Sequence, residues 1–178
     1  MRIISIFEKI QDRLFAVCFE GNNRDELDRA LDSWRDVEEL RKFFNHSRED
    51  LSKFDITLKV KDAVKQTWNE ADRLYDRLIE FTEKDNLDEL FKPLDNREDS
   101  QRPYELQKLK AKGEKRKSML RLYAVRFREW YIVTGGAIKL TDQMDNRPHL
   151  KTELRKLEVV RQFLQEEDTE GSFVYLDV

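Results

Sequence analysis

The chain has 178 residues, with 34 basic and 37 acidic side chains, a formal net charge of −3 and a sequence pI of about 5.6. With 39% hydrophobic and 11% aromatic residues it can bury a substantial core, which excludes a disordered chain despite 40% charge. One cysteine, Cys18, rules out an intramolecular disulfide and a four-cysteine zinc site, and five glycines with three prolines favour long helices over a many-turned β fold.

"RIISIF" and "RLFAVCF" are short β-branched and aromatic runs that predict two strands or a hairpin. The start meets acid and base within a few residues, too early for the apolar core of a signal peptide, and no run approaches the roughly 20 apolar residues that span a bilayer. The expectation is a soluble cytoplasmic protein without a membrane partner.

From Leu27 through Leu31, Trp34, Val37, Leu40 and Phe44 the apolar residues recur at spacings of three and four, predicting one amphipathic helix. Asn23 and Glu26 have the spacing of a capping box at its start. The polar stretch "HSREDLSKFDITL" allows at most a short helix. A second amphipathic helix follows through Val60, Val64, Trp68, Ala71, Leu74, Leu78 and Phe81. "NLDELFKPLDN" adds one turn, and residues 93–103 read as loop.

Beyond the loop the period changes from helix to strand. "SMLRLYAVRF" alternates Leu120, Leu122 and Ala124 against Arg121, Tyr123 and Val125, "REW" leaves room for a tight turn, and "YIVTGGAIKLT" returns as a second strand. Residues 119–127 and 130–140 should therefore pair as an antiparallel hairpin, with a strand from about 104–110 beside them. Gly135 and Gly136 mark a bulge or a close backbone approach. Leu150, Leu154, Leu157, Val160 and Leu164 predict a C-terminal helix, and "GSFVYLDV" a short extended piece. The order of elements gives an α+β domain spanning 1–178, in which 1–92 holds the first strands and helices and 104–165 the hairpin and last helix.

Charge is distributed unevenly along this chain. Residues 1–100 have a net charge of −7 and residues 101–178 of +4; within 101–140, eleven basic side chains face three acidic ones. Two histidines, His46 and His149, are too few for HExxH, three-histidine or Cys2His2 sites, and GxSxG, GxGxxG, P-loop and EF-hand spacings are absent. No cofactor is expected. His149 follows Pro148 at a helix start, where capping or solvent exposure is its ordinary role.

"YELQKLKAKG", "LRLYAVRF" and "WYIVTGGAIKL" together resemble the sheet core of the RelE superfamily, the small ribosome-dependent mRNA-cleaving toxins of bacterial toxin–antitoxin pairs. The likeness covers about residues 104–165. It implies a small antiparallel sheet with a C-terminal helix, here enlarged by a helical N-terminal part, and a metal-independent endoribonuclease acting on mRNA at the ribosome. It places Lys108 and Lys110 as alternating cations of the first strand, Arg121 as the phosphate-binding arginine and Lys139 near the basic end of the third strand. Lys112, Lys115, Arg116, Lys117 and Arg126 would assist RNA binding. The turn before the second strand is stretched here to "GEKRKSML", and Thr141 stands near the position of an aromatic residue often found after the last strand. The chain also looks like a group of bacterial proteins commonly paired with a helix-turn-helix partner, which implies an antitoxin of that type.

The residues suit this chemistry on their own account. Cations two apart on a strand emerge on one face, and an arginine offers a phosphate a two-pronged fork that lysine lacks. Two other readings stay open: a non-enzymatic interaction or nucleic-acid-binding module of the same fold, and lysines that merely keep an edge strand soluble, with Arg121 and Lys139 salt-bridged to acidic helices.

Overall fold

A computed structural model describes residues 1–10, 12–95, 105–114, 117–142, 147–170 and 176–177. The first two runs form an antiparallel hairpin, β1 (Ile3–Ile10) and β2 (Leu14–Phe19). Five helices follow: α1 (Glu26–Arg35), α2 (Val37–His46), α3 (Arg48–Phe54), α4 (Val60–Glu83) and the single turn α5 (Leu87–Leu90). Then come β3 (Lys92–Pro93), β4 (Lys108–Lys112), β5 (Leu120–Phe127), β6 (Trp130–Ile138), α6 (Pro148–Glu170) and β7 (Leu176–Asp177).

One mixed sheet collects every strand in the order β3-β4-β5-β6-β2-β1-β7. Most pairs are antiparallel; β2 with β6 and β1 with β7 are parallel. The β2–β6 seam is short, joining Leu14–Ala16 to Tyr131–Val133. A parallel seam needs a long crossover, and the helices and β3–β5 supply it.

The α+β class, the hairpin of β5 with β6, the strand beside it and the last helix are as the periodicity predicts. The strand lies at Lys108–Lys112, a little later than the expected 104–110; residue 104 is outside the described set, and Leu106 N donates to Arg126 O (2.8 Å) as the pairing begins. Pro93, expected in loop, belongs to β3, where it pairs with Leu109 on the edge of the sheet, a place a residue without N–H tolerates. Residues 96–103 of that predicted loop lie outside the described residues.

The helix expected through Leu27–Phe44 breaks at Asp36, which closes α1 and opens α2. Its N–H donates to Asp32 O (2.9 Å), while its carboxylate accepts from Glu38 N (2.9 Å) and Glu39 N (3.0 Å). The break turns Val37 outward to 45% exposure. The cap of α1 is Asp25, accepting from Leu27 N and Asp28 N, not Asn23; Lys9, 2.8 Å from Asp25, fixes that carboxylate across from β1. In α4 the buried stripe runs through Val64, Thr67, Ala71, Leu74 and Leu78, leaving Trp68 42% exposed; Thr67 takes its place by donating to Ala63 O.

Two cores lie on the two faces of the sheet. Leu109, Ala111, Leu120, Leu122, Ala124 and Val133 meet α1, α2 and α4 on one side. Tyr123, Val125, Phe127, Ile132 and Ala137 meet Leu150, Leu157, Val160 and Leu164 of α6 on the other. The N-terminal helices thus pack against the face opposite Arg121.

Candidate anion-binding site on the sheet

Register decides which cations meet. Lys112 stands opposite Arg121, Arg121 opposite Ala137, and Lys110 opposite Tyr123, so Lys110, Lys112 and Arg121 share the α6 side of the sheet. Lys139, just past β6, donates its N–H to Met119 O (2.7 Å), which keeps it beside the start of β5. Like charges directly opposite each other destabilise a ladder, so this grouping is not what packing alone would select.

The electrostatics record the crowding. Burial lowers the Lys110 ammonium to about 8, and the charges of Lys112, Lys139 and Arg121 push it the same way. Lys112 and Lys139 are also lowered, first by burial and then by Arg121; Arg121 is lowered by burial. The Arg121 guanidinium is anchored from Nη1 to Ser118 O (2.8 Å) and Leu120 O (2.6 Å), and Lys110 Nζ donates to Leu94 O (2.7 Å). Among the described residues no carboxylate lies within ion-pair distance of Lys112, Arg121 or Lys139.

The remaining sequence-derived residues divide differently. Lys108 shares the face but pairs with Glu158 of α6 at 3.2 Å. Lys117 is exposed in the turn after β4 and acts electrostatically on Asp55. Arg126 has the opposite parity from Arg121 and points to the other face, where Nη1 donates to Tyr131 Oη (2.7 Å) and the guanidinium lies 4.9 Å from that ring. Lys115 and Arg116 lie outside the described residues. His149 is half-buried, its Nε2 3.0 Å from Ile138 O, and meets Phe43 edge-on at 5.4 Å.

Two acidic side chains absent from the sequence-derived set shape the surroundings. Glu70 of α4 is 2% exposed and accepts from Ser118 Oγ (2.7 Å) and Gln66 Nε2 (2.9 Å); the Ser118 hydroxyl in turn accepts from Gly113 N and Leu120 N, both at 3.1 Å. This chain of bonds ties the stretched β4–β5 turn, and with it the start of the Arg121 strand, to the N-terminal helices. Glu153 of α6 is 5% exposed and presses on Gly135, while Lys156 bridges Glu153 Oε1 (2.8 Å) and Glu26 Oε2 (2.5 Å). Both carboxylates occupy core-facing positions of otherwise apolar stripes, Glu70 between Thr67 and Leu74 and Glu153 between Leu150 and Leu157. That misfit was the readable signal.

The glycine pair shows both expected features, a bulge beside it and close approach of its neighbours. The register between β5 and β6 slips at Tyr123/Ala124, opposite Thr134, and Gly135 adopts φ +155°, a conformation that disfavours side chains. A Cβ on Gly135 would collide with the Glu153 carboxylate, and one on Gly136 would stand 2.6 Å from the Trp34 ring. The adjacent glycines thus admit α6 on one face and α1 on the other.

Chemically, the cluster can hold one phosphodiester: a half-buried, pre-anchored guanidinium with ammonium groups on either side, one of them lowered to about 8. Comparison of the chain with protein-family models, curated proteins and solved structures finds no match. No described helix is long and apolar enough to cross a membrane.

Proposed function

We propose that the chain is a RelE-like, toxin-like member of a toxin–antitoxin pair, and that Lys110, Lys112, Arg121 and Lys139 form a site that grips and cleaves an RNA phosphodiester. The observation that carries this reading is the gathering of these cations on one sheet face, with Lys112 and Arg121 directly opposed and Lys110 lowered to about 8. In the proposed reaction the ribose 2′-oxygen attacks the adjacent phosphorus and gives its proton to neutral Lys110. The P–O5′ bond breaks, and the departing 5′-oxygen takes a proton from the Lys139 ammonium. The products are a 2′,3′-cyclic phosphate and a 5′-hydroxyl. Arg121 and Lys112 hold the non-bridging oxygens, whose charge grows in the transition state. These side chains supply the needed positive charge and proton transfers without a metal ion. A helix-turn-helix antitoxin carrying an acidic segment would neutralise the same face.

A second reading, an RNA- or protein-binding module without catalysis, is favoured by the Lys108–Glu158 ion pair, which commits one expected catalytic cation to α6. Cleavage of ribosome-translated mRNA by purified protein separates the two. Arg121→Ala should lower the cleavage rate about 10²–10³-fold, as loss of one preorganised charge donor does, and Arg121→Lys should restore little, since it lacks the fork. Lys117→Ala should change the rate only slightly, because exposed cations contribute screened attraction. Induced expression should arrest growth for the wild type and not for Arg121→Ala. RNA bound but uncut would leave the RNA-binding module; neither binding nor cutting would remove every action on RNA and leave only a protein-binding module.

A further inference from the structure

A second site lies where β2 and β6 part. Beyond Val133 the β2–β6 pairing ends, and α1, α2 and α6 close over the end of β6. They leave a cavity of about 200 Å³ walled by Trp34, Leu40, Phe43 and Ile138, with Glu39 and Glu153 among its lining side chains. That volume is below the ~300–1,000 Å³ of drug-sized sites, so it suits a fragment-sized molecule. Glu153 is the informative residue: it is 5% exposed, and Oε2 has no hydrogen-bond partner among the described residues. An unpaired buried carboxylate oxygen is costly; Oε2 packs at Gly135, and the Glu153 side chain lines a space that is otherwise largely aromatic and aliphatic.

We infer that this cavity binds a small organic ammonium ion, an apolar body with one protonated amine, whose N–H donates to Glu153 and whose body packs between Trp34, Leu40 and Phe43. Aromatic walls with carboxylates at hand favour a cation over a neutral or anionic guest. A neutral alcohol of the same shape would fill the walls and miss the charge-assisted bond. The site is separate from the cationic cluster and independent of any action on RNA.

The charged groups around Glu153 set its pH response. Lys156 lies beside it on α6, Glu26 and Arg29 approach from α1, Glu39 from α2, and Tyr123 from β5; His149 lines the same cavity. Burial pushes Glu153 up to about 7, with Glu26 acting in the same direction and Lys156 and Arg29 opposing it. The ionised fraction able to receive an ammonium therefore rises about tenfold between pH 6 and pH 8.

The test is titration of the full chain with phenethylammonium and with 2-phenylethanol, followed by NMR shifts of the Trp34 and Ile138 amides. The wild type should bind the amine about ten times more tightly at pH 8 than at pH 6, and the alcohol weakly and equally at both. Glu153→Gln should lose the amine preference and its pH dependence, with its fold checked by circular dichroism. Should that variant not fold, the pH profile and amine-to-alcohol ratio of the wild type still decide. Equal affinity for the two probes, a flat pH profile, or no saturable shift up to the solubility limit would each overturn the proposal.

Discussion

Replacing Glu153 with glutamine should stabilise the protein, and more so as the pH rises. Burial raises the folded-state pKa of this carboxyl from its ordinary 4.5 to about 7 even though Lys156 donates to it from 2.8 Å. Between those two values the folded state holds a proton that the unfolded state has released, so stability falls as pH rises through the window and levels off above about 7. Each pKa unit corresponds to 1.36 kcal/mol, which makes the full loss about 3 kcal/mol, of which about 2–3 kcal/mol develops between pH 5 and pH 8. Glutamine keeps an oxygen for Lys156 and has no proton to lose, so the variant escapes the decline. Urea unfolding of both proteins at pH 5 and pH 8 measures it. With m near 2 kcal/mol/M, the midpoint advantage of the variant should grow by about 1 M between the two conditions. An advantage that stays the same at both pH values, or a variant less stable than wild type at pH 8, would refute the account of Glu153 as a carboxylate ionised against its surroundings.

Two further substitutions probe the packing that places the cationic cluster. Gly136→Ala sets a methyl 2.6 Å from the Trp34 ring and 2.9 Å from Ala30 Cβ, both held by the core, and should cost about 1–3 kcal/mol in urea unfolding; an unchanged midpoint would mean that α1 yields freely. Ser118→Ala leaves Glu70 Oε2 and the N–H groups of Gly113 and Leu120 without the hydroxyl they share, and should cost about 1–3 kcal/mol while speeding amide exchange at Gly113; protection equal to wild type would show that the β4–β5 turn does not depend on α4.

Local pattern alone determined much of this protein. Period-two alternation from Leu120 to Ile138 defined the β5–β6 hairpin, the glycine pair marked its bulge, and three-and-four spacing placed α4 and α6, because these signals arise from neighbours along the chain. Spacing two apart likewise put Lys108 and Lys110 on one face of their strand, whereas the β4–β5 register decided that Lys112 joins the strand and stands opposite Arg121. Tertiary structure decided what spacing does not contain. The break at Asp36 depends on the two hydrogen bonds of one capping carboxylate outweighing a continuous apolar stripe, and the exposure of Trp68 depends on which of two adjacent helix faces the sheet accepts. The parallel seam between β2 and β6 joins segments more than a hundred residues apart, so no local period announces it. Parity already separates Arg126 from Arg121, but its partnership with Tyr131, and that of Lys108 with Glu158 fifty residues away, came only with the fold. Glu70 became an interior carboxylate only when α4 met Ser118 of the β4–β5 turn, and Glu153, whose partner Lys156 lies one turn along the same helix, only when α6 lay on the sheet and Lys156 reached Glu26 of α1.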